Sequence, residues 1–236
     1  MADEQDKTVV YCSGPMFAPG ELETGQRIAK SFEDAGFATY LPPRDGLEVA
    51  KIMGLANAGL PDIGPIKTLT NDVFKAIFAL DVFQLVKRCD LLVFNMNGRE
   101  ADDGSISETA MAYVIGKPIV VYKDDPRTEF NGRENPLLTG LSLTFATKKD
   151  ISKLPARMDG VRNQFTFPTT EVILANLAPT VRAAVDAGEA IWTIVSDMRA
   201  KDKDLGDILA FIEALISHLH QAKEVMDFFD TYKLRS

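Results

Sequence analysis

The most polar loop of the chain, Asn97 to Glu108 (NGREADDGSISE), carries the side chains best suited to chemistry. It delivers three carboxylates, Asp102, Asp103 and Glu108, with Gly104 and Ser105 set between them. Taken singly, each acid is equally well read as a complement to the dipole of the helix that follows. The Gly-Ser pair fits that reading less well, because it suits close approach of a ligand to backbone. Two other corners are candidates: Gly14-Pro15 after an apolar run, and Arg44-Asp45 after Pro42-Pro43, a base contact or only a solvated turn. Other signals are missing. Gly14 and Gly20 do not make a GxGxxG, there is no Walker A sequence, and His218 and His220, two apart, do not make a helical metal pair. No metal site and no cofactor are expected.

These residues are positioned by alternating strand-like and helix-like segments. Lys7 to Ser13 is a short β-rich apolar run, and Glu21 to Gly36 a helical stripe on Leu22, Ile28, Ala29, Phe32 and Ala35. Ala38 to Leu41 reads as the second strand, Asn71 to Cys89 as an amphipathic helix, and Asp90 to Met96 as a strand buried on both faces. Ser107 to Ile115 reads as a helix closed by Gly116, Pro118 to Tyr122 as the fourth strand, and Ser142 to Ala146 as the fifth. Such alternation predicts an α/β fold, a flavodoxin-like doubly wound sandwich around a central five-stranded parallel sheet. Ligands bind outside the carboxyl ends of such strands, where the polar loop lies. Gly46 to Thr70 interrupts the pattern and reads as a surface excursion or lid. Two long helices, Glu171 to Arg199 and Asp204 to Tyr232, follow as a helical extension. The expected division is therefore an α/β domain over 1–165 and a C-terminal helical extension over 166–236.

Composition narrows the function. Lys plus Arg total 26 against 34 Asp plus Glu, for a net charge of −8. An acidic chain without a basic cluster is a poor partner for nucleic acid polymers or anionic membranes. The acidic start lacks a secretory h-region, no apolar run reaches membrane-spanning length, and Cys12 and Cys89 form no CxxC. A cytoplasmic protein acting on small molecules is expected.

The motifs taken together resemble the nucleoside 2-deoxyribosyltransferase family. Tyr11-Cys-Ser-Gly14-Pro15, Asp81 on a helix, Asp102-Asp-Gly104-Ser105-Ile-Ser-Glu108 and Gly116-Lys117-Pro118 occur in the family's order over roughly residues 8 to 150. The resemblance implies a cofactor-independent transferase that exchanges the purine or pyrimidine base of 2′-deoxyribonucleosides with free nucleobases, with retention. Glu108 matches the nucleophile, forming a covalent deoxyribosyl ester, and Tyr11 would orient its carboxylate. Asp81 would serve base recognition and proton delivery. Asp102 would bind a sugar hydroxyl, with Gly14, Pro15, Arg44, Asp45, Gly104 and Ser105 also against substrate. Asn135 matches, loosely, an Asn lent to the neighbouring subunit's site, so a homo-oligomer is implied, which the apolar residues of the C-terminal helices would also suit. Glu108 is expected at the start of its helix, kept ionised by the helix amides. The loop Met16 to Pro19 lacks the Arg of phosphate-accepting relatives, which favours nucleosides over 5′-monophosphates, with Arg99 the possible substitute. A hydrolase of nucleosides or nucleotides on the same scaffold, and a non-catalytic nucleotide-binding module, are the alternatives.

Overall fold

The computed structural model describes residues 7–47, 66–98, 100–127, 133–201, 217–219 and 221–231. Positions 48–65 of the expected excursion, Arg99, His220, and the apolar run Leu209 to Ile216 of the expected last helix lie outside the described residues.

The short apolar runs become strands: β1 (Val9–Ser13), β2 (Ala38–Tyr40), β3 (Leu91–Asn95), β4 (Ile119–Tyr122) and β5 (Thr147–Lys148). All neighbours pair in parallel, in the order β2-β1-β3-β4-β5, the flavodoxin-like arrangement that the alternation predicts. Val10 lies opposite Thr39 on one side and Leu91 on the other, and Val93 opposite Val120. Every residue of β3 and β4 is buried, as strands covered on both faces must be.

One face is covered by α1 (Pro19–Asp34) and α6 (Leu154–Gln164). Ile28, Ala29 and Phe32 of the first and Leu154, Met158 and Val161 of the second share a core with Val10, Cys12, Val93 and Val120. Strand side chains alternate between faces, so Tyr11 and Ser13 point the other way, where α4 (Asp103–Val114) packs on β1, β3 and β4. Short helices complete the set: α2 (Pro42–Asp45), α5 (Pro136–Gly140) and α7 (Thr170–Ala175).

Three expectations need correction. The segment Ser142 to Ala146 is a turn: Leu143 (φ 59°) and Phe145 (φ 51°) are left-handed, which no strand accommodates, and β5 follows it. α4 starts at Asp103, because Asp102 supplies the cap that ends its orphan amides there. The helix expected from Glu171 breaks at Asn176, since Pro179 lacks an N–H and disfavours helical backbone at the residue before it.

The chain forms two compact units, Met1–Asp45 with Gln84–Asn176, and Gly46–Phe83 with Leu177–Ser236. The sheet belongs to the first. The second groups α3 (Ile66–Phe83) with α8 (Pro179–Lys201) and α9 (Lys223–Thr231). Within it Gly188 permits a backbone approach that a side chain would block, since an added Cβ would lie 2.0 Å from the Ala79 carbonyl oxygen. Ile191 and Val195 are fully buried there, so part of the apolar surplus of these helices is consumed inside the unit. Phe78 stacks on Phe228 with centroids 6.5 Å apart. No helix among the described residues is long and apolar enough to cross a membrane.

Candidate active site

The site is built from the carboxyl ends of β1 and β3 and the first turns of α4. Tyr11 and Ser13, two apart on β1, project to the same face. The Tyr11 hydroxyl donates to Glu108 Oε1 at 2.8 Å, and the Ser13 hydroxyl donates to Glu108 Oε2 at 2.6 Å. Both donors are fixed: Tyr11 is wholly buried, with its ring 5.3 Å from that of Tyr40, and Ser13 is 2% exposed. One carboxylate is thus gripped at both oxygens by hydroxyls of a rigid central strand.

Burial pushes the Glu108 carboxyl up to about 7, the Ser13 and Tyr11 hydroxyls pull it back, and the charge of Asp102 adds to the rise. The expected helix amides are not among the groups that set this carboxyl, which burial dominates. Glu108 sits in the second turn of α4, not at its start, and the dipole effect fades within the first turn. Its environment is set by burial instead.

Asp102 is the N-cap of α4, its Oδ2 accepting from the Ser105 amide and the Ser105 hydroxyl, each at 2.8 Å. The helix-complementing reading therefore holds for Asp102, which also acts on Glu108 through its charge. Ser105 is buried, its hydroxyl turned to the cap, while Gly104 is exposed. Gly14 is required by packing: an added Cβ would lie 2.7 Å from the Asn95 Cβ at the end of β3. Pro15 follows, half-buried.

The remaining candidates have other partners. Arg44 donates to Asp45, to Glu33 Oε1 at 2.8 Å and to Thr39 Oγ1 at 2.8 Å, and Asp45 Oδ2 accepts the Leu41 amide at 2.8 Å. That network pins the turn after β2. Asn135 caps α5, its Oδ1 accepting the Leu137 amide at 3.0 Å. Asp81 is half-buried on α3 of the second unit, whereas the constellation around Glu108 is built from the first.

Two contributors escape a reading of the sequence. Ser13 hides in what reads as an apolar run; the signal is two hydroxyl residues at strand spacing just before Gly14-Pro15. Lys123, 4% exposed, donates to the carbonyls of Met96 at 3.2 Å and Gly98 at 2.8 Å and pairs with Glu134 at 3.4 Å. It ties the polar loop to the end of β4, beside Asn97, whose side chain bridges to Asp124. Lys117 of the Gly-Lys-Pro run likewise donates to the Cys89 carbonyl at 2.8 Å, a structural duty.

Two open clefts of the first unit, about 660 and 910 Å³, lie apart from this carboxylate. The first is lined at the amino ends of β1, β3 and β4 by Lys7, Asp90 and Lys117, the second by α1 and α6. Size does not decide the matter: carboxylate contacts of these clefts, such as Asp90 accepting the Val9 amide and Asp150 accepting the Ser152 amide, tie down local backbone, whereas Glu108 is held at both oxygens by side-chain hydroxyls. Among the described residues no group of three or more His, Cys, Asp or Glu is placed to hold a metal ion.

A family model described as nucleoside 2-deoxyribosyltransferase matches residues 10–142. A search of curated proteins returned no match. Among solved structures, a conserved protein from Enterococcus faecalis V583 is 18% identical, with a TM-score of 0.44, over 67% of this chain and 99% of its own. A 2-deoxyribosyltransferase from the psychrotolerant bacterium Bacillus psychrosaccharolyticus is 18% identical, with a TM-score of 0.38, over 64% of this chain and 96% of its own.

Proposed function

The chain belongs to the nucleoside 2-deoxyribosyltransferase family, and from that premise we propose that it exchanges the base of 2′-deoxyribonucleosides through a covalent ester on Glu108. The observation that carries this reading is the Glu108 carboxylate, held at both oxygens by Tyr11 and Ser13. A binder has no use for a carboxylate aligned so strictly; a nucleophile does.

In the forward step one Glu108 oxygen attacks C1′ of the nucleoside. The C1′–N bond breaks, its electron pair leaves with the base, and the base takes up a proton from solvent, to which the incoming base returns one in the second step. The product is a deoxyribosyl ester of Glu108. A second base then attacks C1′ from the face the first one left, expelling the carboxylate, so that two inversions give retention. Tyr11 and Ser13 stabilise the carboxylate as it regains charge in the second step. The attacking group must be ionised, and a carboxyl near pH 7 is half available at neutrality. Asp102 spends Oδ2 on the helix cap, and the oxygen that the cap does not use is assigned to a sugar hydroxyl.

The reading extends to substrate choice. The amides of Phe17 and Ala18, which open α1 beside the site, donate to Glu21 Oε2 at 2.9 and 2.8 Å. A carboxylate of the chain itself thus occupies the donors that a 5′-phosphate would need, and its charge repels one. Nucleosides are the favoured substrates. A homo-oligomer belongs to the same reading, because the family's sites are shared between subunits; an active monomer by light scattering would contradict it.

The test is incubation with deoxyadenosine plus cytosine or hypoxanthine, followed by chromatography. New deoxyribonucleoside supports the proposal. Free deoxyribose without exchange makes the protein a hydrolase, and no turnover of any deoxyribonucleoside makes it a binding module; either outcome contradicts the proposal.

A further inference from the structure

We propose that Asn95 is a substrate-binding residue: its side-chain Nδ2 donates a hydrogen bond to the acceptor atom of the base that neighbours the glycosidic nitrogen. The inference rests on the exchange reaction proposed above and goes beyond it by assigning a contact to the departing base.

In the sheet order β2-β1-β3-β4-β5, β1 leads to α1 on one face and β3 leads to α4 on the other. The crevice for a ligand therefore opens between the carboxyl ends of β1 and β3. Ser13 pairs with Phe94 at that end, and the next two residues in register, Gly14 and Asn95, form the crevice floor. Asn95 is only 2% exposed. Its Oδ1 accepts the Asn97 amide at 3.3 Å, which fixes which way the amide group faces. Nδ2 then carries two N–H donors with no acceptor among the described residues, although buried polar side chains are almost always bonded. It is not sealed off, since the fully enclosed side-chain atoms without a partner among those residues are Gln84 Nε2 and Ser196 Oγ. Asn95 borders a small recess together with Ser13, Gly14, Pro15, Leu22 and Leu41. An added Cβ at Gly14 would stand 3.1 Å from Nδ2, so the glycine leaves the amide uncovered.

The two faces of the sheet say which part of the substrate this donor meets. Ser13 lies on the α4 face with Glu108, whereas Asn95, two along from Val93, lies on the α1 face. Nucleophile, C1′ and departing nitrogen must be in line. A carboxylate attacking from the α4 side therefore sends the base toward the α1 side, where Asn95 stands. Purines carry N3, and pyrimidines O2, one atom from the glycosidic nitrogen, so a single donor in one place serves both. Negative charge gathers on the base as the bond breaks, and a donor already in place stabilises it. The amide keeps its proton; the hydrogen bond strengthens and nothing is transferred.

The experiment measures exchange by the wild type, Asn95→Ala and Asn95→Asp on 2′-deoxyadenosine and on 3-deaza-2′-deoxyadenosine, in which a C–H replaces N3. Urea unfolding first checks that each variant folds. Asn95→Asp keeps the shape and the bond from Asn97 but has no N–H to give. Both variants should lose roughly 10- to 100-fold in kcat/KM on deoxyadenosine, the worth of a hydrogen bond to a group gaining charge. The penalty for the 3-deaza substrate, taken against deoxyadenosine in the same protein, should shrink by at least that factor in both variants. A merely structural role slows both substrates alike and leaves the penalty unchanged. That result, or full activity of either variant, overturns the inference. If only pyrimidine nucleosides are exchanged, deoxyuridine against 2-thiodeoxyuridine, a weaker acceptor, makes the same comparison. A wild type that exchanges no deoxyribonucleoside overturns the parent reading instead, so the two failures are distinguishable.

Discussion

Replacing Glu108 with glutamine is expected to stabilise the fold above neutrality while abolishing exchange. Burial raises the carboxyl from the ordinary 4.5 to about 7, so between those values the native state holds a proton that the unfolded chain has released. Stability must therefore fall as pH rises through that window, at about 1.4 kcal/mol per unit, and level off above it. The accumulated cost of ionising Glu108 in place is about 3 kcal/mol, an upper figure because the residue is only half-buried. Glutamine has nearly the same shape and no charge, so it escapes that cost. Its amide oxygen still accepts one hydroxyl, and its amine can donate to the other if that hydroxyl rotates. Urea unfolding of both proteins at about pH 5 and about pH 8 measures the difference, with equal m-values certifying equal compactness. The variant should gain little at the lower pH and about 2 to 3 kcal/mol at the higher one. A variant less stable than wild type at both, or a difference independent of pH, would refute the claim that burial sets the state of this carboxyl. The gain in stability with loss of activity would mark Glu108 as a strained functional group.

Asp102→Ala should lose the α4 cap and cost about 1 kcal/mol in denaturant unfolding, whereas Asp102→Asn should keep that stability and yet exchange more slowly. Equal stability of the two variants would argue against the cap. Gly14→Ala should cost about 1 to 3 kcal/mol in thermal unfolding, since its Cβ would press on Asn95; a neutral substitution would show that this contact yields. Deoxyadenosine should exchange where deoxyadenosine 5′-monophosphate does not, and Glu21→Gln should narrow the gap. Comparable wild-type turnover of both would remove the argument from Glu21.

Much of the fold is legible in the residues because burial on both faces writes itself as unbroken apolar runs. Leu91 to Phe94 and Ile119 to Tyr122 are such runs, and their alternation with helical stripes leads to the parallel sheet. What escapes is local geometry set by single residues. The turn at Leu143 and Phe145 follows from left-handed backbone and from the Ser142 and Leu143 amides bonding back to the Thr139 and Gly140 carbonyls, which propensity does not register, and Pro179 divides a stripe whose apolar spacing continues through the break. The start of α4 is hard to place from the residues because Asp102, a side chain that also suits a ligand, is the cap itself. That difficulty carries through to Glu108, whose charge state follows from burial, a property of three packed elements and not of a local segment. The Tyr11–Glu108 pair is legible through the family resemblance; Ser13 is not, because a hydroxyl between apolar neighbours looks like a strand filler until the opposing helix is in place.

The most direct test of the account is to trap the ester. The protein is incubated with a 2-fluoro-2-deoxyarabinosyl nucleoside, whose fluorine slows breakdown of a glycosyl ester, and its intact mass and peptides are measured. The account predicts one added sugar mass on the wild type, mapped to Glu108, and none on Glu108→Gln. The same mass found on Asp102 or Asp103, or a fully active Glu108→Gln protein, would contradict it.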